Sequence, residues 1–264
     1  MDTLQIIVLA LVQGITEFLP ISSSAHLVLP SLLTDWPDQG LAFDVGVHFG
    51  SLLAVIAYFR KELWNMASDT LAYPATRSYS PNIDLVFKLA LATLPVVIVG
   101  LLAKDFIEAN LRSLPVIATT TIVFGLLLWW SDRQPGHGAS VGWSHALWIG
   151  LAQVLALIPG TSRSGITITA ALLLSLNRTE AARFSFLLSI PTIAGAQLLL
   201  TLDLLEVGVE RWSELMAGAA LAGLSAYACI HFFVSLVERT GMLPYVIYRL
   251  LLGGFLLGMI ALAG

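Results

Sequence analysis

The chain is poor in charge. Only 11% of its 264 residues are Asp, Glu, Lys or Arg, less than half the roughly 25% of a soluble globular domain. With 57% hydrophobic residues and a mean hydropathy of +0.86, that deficit excludes an ordinary water-soluble fold and points to an integral membrane protein. Cysteine is nearly absent. The single Cys229 lies in an apolar run and excludes both a disulfide framework and a thiolate metal site. No stretch is basic enough to track a phosphodiester backbone, which excludes nucleic acid as a partner. Sustained apolar–polar alternation is missing too, which argues against a barrel, whereas unbroken runs such as Val116–Trp130 and Leu250–Ala263 argue for helices in a bilayer. The N-terminus has neither a basic segment nor a small-residue cleavage site, so the sequence from Leu4 onward is expected to be mature structure. No linker divides the chain, and 1–264 reads as a single integral membrane domain.

Six segments are long and apolar enough to cross: about 41–59, 84–103, 116–131, 184–201, 213–237 and 244–262. Lys88 and Arg249 fall near segment starts, where long side chains can reach the interface. The polar stretch from Lys61 to Asp84 reads as a loop. Two further apolar regions, about 3–33 and 144–176, are each interrupted by a polar cluster. One holds Gln13, Glu17, Pro20, Ser22, Ser23, Ser24 and His26; the other holds Gln153, Pro159, Gly160, Thr161, Ser162, Arg163, Ser164 and Thr167. Pro20 and Pro159 break a helix and disfavour helix at the residue before them. Irregular backbone at membrane depth needs protein or a wet cavity around it. The expected fold is therefore all-α: a polytopic membrane protein with six transmembrane helices and two re-entrant helical hairpins. Grouping the loops that hold Arg60, Lys61 and Arg77, then Arg133, then Arg178 and Arg183, then Arg239 on the cytoplasmic side puts both termini outside. Trp36, Trp64, Trp129, Trp130, Trp143 and Trp212 fall near segment ends, as an aromatic belt does.

The two halves resemble each other. Pro20-Ile21-Ser22-Ser23 aligns with Pro159-Gly160-Thr161-Ser162, Gln13 falls near the place matched by Gln153, and Phe43 to Gly46 aligns loosely with Phe184 to Leu187. Each half, about 1–131 and 144–264, would be one hairpin plus three crossings. Three is odd, so the halves would be inverted repeats, an arrangement typical of transporters with a site at the midplane.

A charged side chain at membrane depth costs about 2.5–3.5 kcal/mol on insertion scales and marks a functional site by default. Ser22, Ser23, Ser24, Thr161, Ser162 and Ser164 are good caps for helices restarting after each break. Helix N-termini suit anions, and inversion would bring the two together around the hydroxyls and Arg163, whose fork clamps phosphate oxygens. Glu17 lies four residues after Gln13 and His26 three after Ser23, so each pair shares a helical face. Ser23 and His26 then form a candidate nucleophile–base pair. Glu17 has three open roles: orienting His26, carrying a proton, or joining a divalent cation. Asp44 and His48 read as an interfacial pair at the rim, and His137, His145 and His231 lack polar company.

At these residues the sequence resembles the undecaprenyl-diphosphate phosphatase family of bacterial membranes, the one linked to bacitracin resistance. The family's acid-or-Gln followed four residues later by Glu matches Gln13 and Glu17, and its Pro-x-Ser-Ser-x-x-His matches Pro20, Ser22, Ser23 and His26. Its Pro-Gly-x-Ser-Arg-Ser-Gly-x-Thr matches Pro159, Gly160, Ser162, Arg163, Ser164, Gly165 and Thr167. Gln13 stands where many relatives carry a second Glu and offers only a neutral ligand; Ala25 replaces a common Gly. The resemblance implies hydrolysis of undecaprenyl diphosphate to the monophosphate carrier in the bacterial plasma membrane, recycling the carrier for cell-wall synthesis. It implies Ser23, His26, Glu17 and Arg163 as catalytic residues, and Gln13, Ser22, Ser24, Gly160, Ser162, Ser164 and Thr167 around the substrate. Glu17 would serve either in proton transfer or through a divalent cation such as Mg2+ or Ca2+, and the polyprenyl diphosphate lipid would place its tail in the bilayer. A homo-oligomer is compatible with the sequence.

The rival reading is a transporter or flippase for the polyprenyl phosphate lipid, which needs an anion site but no nucleophile. An intramembrane serine protease has no use for Arg163 and the second cluster. Lipid phosphatases of the nucleophilic-His type carry a further His after their Ser-Arg motif, which this chain lacks within reach of Ser162-Arg163. Whether Ser23 or His26 attacks stays open at this level.

Overall fold

The computed structural model of the chain describes residues 2–34, 36–134, 136–138, 140–207 and 211–263. Among these residues the secondary structure is helical, with no β-strand. The elements are α1 (Thr3–Phe18), α2 (Ser23–Leu33), α3 (Gly40–Tyr58), α4 (Arg60–Thr76), α5 (Pro81–Asn110), α6 (Leu114–Ser131), α7 (Trp143–Gln153), α8 (Arg163–Leu173), α9 (Arg178–Val207), α10 (Trp212–Thr240) and α11 (Leu243–Ala263). A 3₁₀ turn, Val154–Leu157, prolongs α7.

Six stretches are apolar and long enough to cross a membrane: Gly40–Tyr58, Pro81–Ala103, Leu114–Ser131, Arg178–Leu202, Trp212–Thr240 and Leu243–Leu262. They are the six segments expected, displaced by a few residues where caps decide the start. Ser80 caps α5 by accepting from the Ile83 N–H at 3.3 Å, and Pro81 follows at the first helical position, which has no partner for an N–H anyway. Both interrupted regions fold as helix–break–helix units, α1–α2 and α7–α8.

One expected loop is corrected. Lys61 to Asp84 is mostly helix, because α4 occupies Arg60–Thr76. Its polarity means exposure, not irregular backbone: Lys61, Glu62, Leu63, Met66 and Ala67 are good helix formers. Met66 is the one residue it buries, and Arg183 pairs with Glu62 to hold it against α9. Similarly, α5 continues beyond its apolar part to Asn110.

Several of the contacts between helices come in matched pairs. α1 packs on α2 and α10, as α7 packs on α8 and α5; α3 packs on α10, as α9 packs on α5; α3 meets α9 and α6 meets α11. These contacts map onto one another when the first half is exchanged for the second. The approach of α1 to α10 is close enough to require Gly14, where an added Cβ would lie 2.0 Å from Ser225 Oγ and 2.3 Å from the Ala222 carbonyl. The main apolar core lies behind the two breaks. Phe186 is its hub, with its ring 5.5 Å from Phe18 of α1 and 5.5 Å from Phe233 of α10.

Candidate active site

The two breaks share one backbone design. α2 and α8 are eleven residues each, and each follows a serine with positive φ: Ser22 (φ 74, ψ 94) and Ser162 (φ 71, ψ 117). A non-glycine residue there is strained and needs its surroundings to hold it. The Ser162 carbonyl accepts from the Ile166 N–H at 2.9 Å and the Ser22 carbonyl from the His26 N–H at 3.4 Å. In each break the serine hydroxyl lies 3.2 Å from the one two residues on, Ser24 or Ser164. Ser22 thus matches Ser162, one residue away from the Ser22–Thr161 pairing expected. The caps differ: Ser162 Oγ accepts from the Gly165 N–H at 3.1 Å, whereas Ser22 makes no side-chain cap.

Arg249 of α11 ties the breaks together. Its side chain is fully buried and does not reach an interface, which corrects the expectation from its position in sequence. Every N–H of the guanidinium finds a carbonyl. Nε donates to Thr121 O (3.0 Å), Nη1 to Pro20 O (3.1 Å) and Thr161 O (2.9 Å), and Nη2 to Gly160 O (2.9 Å) and Thr120 O (3.4 Å). Three of these carbonyls, those of Pro20, Gly160 and Thr161, lie in the two breaks, where no helical N–H follows to pair them, and a five-donor fork can satisfy them. Thr120 Oγ1 donates to Pro159 O at 2.6 Å, and Ser164 Oγ crosses to Leu19 O at 2.8 Å. Gly160 packs so tightly here (φ +88) that a Cβ would lie 2.2 Å from Thr120 Oγ1.

So braced, the first turns of α2 and α8 face one cavity of about 270 Å³. Glu17, Ser22, Ser23, Ser24, His48, Ser162 and Arg163 give it a polar side, and Ala156, Ile193, Ala196 and Leu200 an apolar one. Glu17 is the hub of the polar side. Its Oε1 accepts from Arg163 Nη2 at 3.0 Å; its Oε2 accepts from Ser23 Oγ at 2.7 Å and Gln13 Nε2 at 3.0 Å. The imidazole Nε2 of His48 stands 3.8 Å from Oε2. Arg163 also lies 5.8 Å from the Phe18 ring and donates to Ser185 O at 3.4 Å. Among the described residues, no three of His, Cys, Asp and Glu gather in an arrangement that could hold a metal ion.

Of the eleven site residues expected from sequence, the cavity brings together Glu17, Ser22, Ser23, Ser24, Ser162 and Arg163. Gln13, His26, Gly160, Ser164 and Thr167 stand behind its wall. Gln13 is buried against Glu17, and Thr167 Oγ1 bonds Ser185 Oγ at 2.7 Å and the Arg163 carbonyl at 2.9 Å. The expected Ser23–His26 pair is not formed. His26 Nδ1 is 2.7 Å from the Ser22 carbonyl, Nε2 is 2.6 Å from the Tyr248 hydroxyl, and the two rings stack. Ser23 turns to Glu17 instead.

The sequence reading undervalued His48 and passed over Gln197. His48 lines the cavity rather than pairing with the Asp44 carboxylate: its Nδ1 lies 2.8 Å from the Asp44 carbonyl, which can only accept. The ring therefore donates from Nδ1, and Nε2 faces the cavity. Gln197 donates to Val45 O at 2.7 Å, while its buried Oε1 has no hydrogen-bond partner among the described residues. A lone amide inside an apolar crossing was the available signal.

A family model described as BacA, bacitracin resistance protein BacA, matches residues 6–255, nearly the full chain and all of the residues above.

Proposed function

This chain belongs to the bacitracin resistance protein BacA family, and from that premise we propose that it cleaves the terminal phosphate from undecaprenyl diphosphate at the cavity between α2 and α8. The family is one of undecaprenyl-diphosphate phosphatases, membrane hydrolases that confer bacitracin resistance, and six apolar helices make this member a multi-pass membrane protein. The observation that carries the reading is the chain of contacts Ser23–Glu17–Arg163 on one cavity wall. It sets a hydroxyl, a base and a phosphate clamp side by side.

In the proposed reaction Arg163 exchanges part of its pairing with Glu17 for the oxygens of the terminal phosphate, with the Ser162 and Ser24 hydroxyls donating beside it. Ser23 Oγ attacks phosphorus as Glu17 takes its proton. The phosphoanhydride bond breaks, and undecaprenyl phosphate leaves. Water, deprotonated at His48 Nε2, then attacks the phosphoserine, and Glu17 returns its proton to Ser23 Oγ as phosphate leaves, restoring Ser23. His26 fits a positioning role, holding the strained Ser22 carbonyl. The wall from Ile193 to Leu200 suits the first prenyl units, with the remaining tail in lipid.

The matched helix contacts and the twin serines support an inverted repeat of about 1–131 and 144–264, with α1–α2 and α7–α8 as re-entrant hairpins. The cavity lies toward the start of α3 and the end of α9, the outer side when the arginine-bearing loops are cytoplasmic. Glu17 is the one carboxylate in the cavity lining, and it is already bonded to a guanidinium, a hydroxyl and an amide. This donor set does not fit a resident divalent cation; Mg2+ or Ca2+ would enter as the counter-ion of the diphosphate substrate.

Phosphate release from undecaprenyl diphosphate by the purified chain in detergent tests the reading. Loss of turnover in Ser23→Ala with substrate still bound is the expected result and separates hydrolysis from transport of the lipid. Retained turnover would remove Ser23 as nucleophile.

A further inference from the structure

A second cavity, of about 320 Å³, opens among the far ends of the spanning helices. Arg178 starts α9, Trp129 lies near the end of α6, Arg133 in the turn after it, and Arg239 and Thr240 at the end of α10. Arg178 and Ala196 of the catalytic cavity are separated by about 27 Å along α9, at 1.5 Å per residue. The two cavities therefore lie toward opposite faces of the bundle.

Charge is unbalanced here. Three guanidiniums and one carboxylate line the space. Asp132 is committed to Arg178, accepting from Nε at 2.6 Å and Nη2 at 3.0 Å, and its Oδ2 also takes the Met242 N–H at 3.0 Å. The nearby carboxylate of Glu238 is turned to Thr179, whose N–H and hydroxyl it accepts at 3.0 and 2.6 Å. Among the described residues neither Arg133 nor Arg239 has a carboxylate within ion-pairing distance. Arg133 is laid over the Trp129 ring, 3.8 Å from its centroid, which holds the guanidinium plane at the cavity wall. Charge bias in cytoplasmic loops explains why arginines occur on this face. It does not explain why three loops distant in sequence turn theirs into one apolar-floored hollow.

We propose that this cavity binds a phosphate group, held by Arg133 and Arg239 and offered at the membrane surface by an anionic lipid headgroup or by free phosphate. Guanidinium forks match phosphate oxygens, and basic pockets between crossing helices are established headgroup sites. The proposal is independent of the catalytic reading.

Native mass spectrometry of the full chain in detergent tests it, with phosphatidylglycerol as probe and diacylglycerol of the same acyl chains as the headgroup-free control. Arg133→Gln with Arg239→Gln leaves the Arg178–Asp132 pair intact. Each arginine should contribute about a factor of five, so the double variant should bind phosphatidylglycerol roughly thirtyfold more weakly and diacylglycerol unchanged. Displacement of the lipid by millimolar inorganic phosphate would assign the site to free phosphate; resistance to displacement would assign it to the headgroup. Equal phosphatidylglycerol binding by wild type and a folded double variant would overturn the proposal, as would a loss shared by diacylglycerol. Phosphate release from the polyprenyl diphosphate is expected to be unchanged in the same variant, so the two readings fail separately.

Discussion

The break before α2 and the break before α8 have nearly the same backbone and nearly opposite chemistry. Each sets a serine at positive φ and pairs its hydroxyl with one two residues further on, at 3.2 Å in both. In the register that pairs Ser22 with Ser162, Glu17 falls opposite Leu157, Ser23 opposite Arg163 and His26 opposite Ile166. The same local backbone thus carries a carboxylate and hydroxyl on one side and a cation on the other. Neither half is a site alone. Their side chains meet across one cavity, and the bond from Ser164 to the Leu19 carbonyl means that each break also braces the other.

The division of labour is broken most directly at Arg163. Arg163→Ala removes the cavity's clamp and leaves Glu17, nearly buried, without its cation. Loss of one charged donor of this kind costs about a thousandfold in turnover. Arg163→Lys should recover little of it, because an ammonium is a point charge and cannot bridge two phosphate oxygens. Turnover by purified, folded Arg163→Lys within tenfold of wild type would show that the second break supplies only charge, not geometry.

Arg249 tests the bracing rather than the chemistry. Arg249→Met keeps the volume but orphans carbonyls of both breaks, with an expected loss of about 3–5 kcal/mol, measured by unfolding in mixed micelles. This arginine also marks where sequence ran out. The six crossings, both breaks and the meeting of the two polar clusters were legible because a charge or a proline inside an apolar run is conspicuous in one dimension. Arg249 was misread because a basic residue near a segment start looks the same whether it reaches outward to the interface or inward to five carbonyls. Only the packing of α11 on α6 decides between them. α4 was misread for the converse reason: a polar helix with one anchoring residue has no apolar periodicity to detect.

The histidines sharpen the comparison within the first half. His26 carries the family motif but spends both ring nitrogens on Ser22 and Tyr248, while His48 turns Nε2 to the cavity, 3.8 Å from Glu17 Oε2. His48→Asn should lower turnover about a hundredfold, the lower range for a proton-transfer group. His26→Asn should lower turnover less, because it acts through Ser22. Reversed outcomes would return the acid–base role to His26 and require its ring to swing away from Tyr248.

The smallest effect separates the two serines on which the breaks turn. Both are strained, and alanine carries the same strain at positive φ, so that term cancels in a Ser→Ala comparison. Each substitution also deletes one hydroxyl contact of 3.2 Å. What differs is the cap: Ser162 Oγ accepts the Gly165 N–H, and Ser22 caps nothing, its carbonyl rather than its hydroxyl making the bonds to His26. Loss of a serine cap costs about 1 kcal/mol, so Ser162→Ala should be less stable than Ser22→Ala by about that amount in matched unfolding titrations. Turnover should rank the pair less sharply, since both hydroxyls line the same cavity. Equal losses of stability would mean that α8 is held by Arg249 and Ser164 alone, and that the cap is incidental to the break.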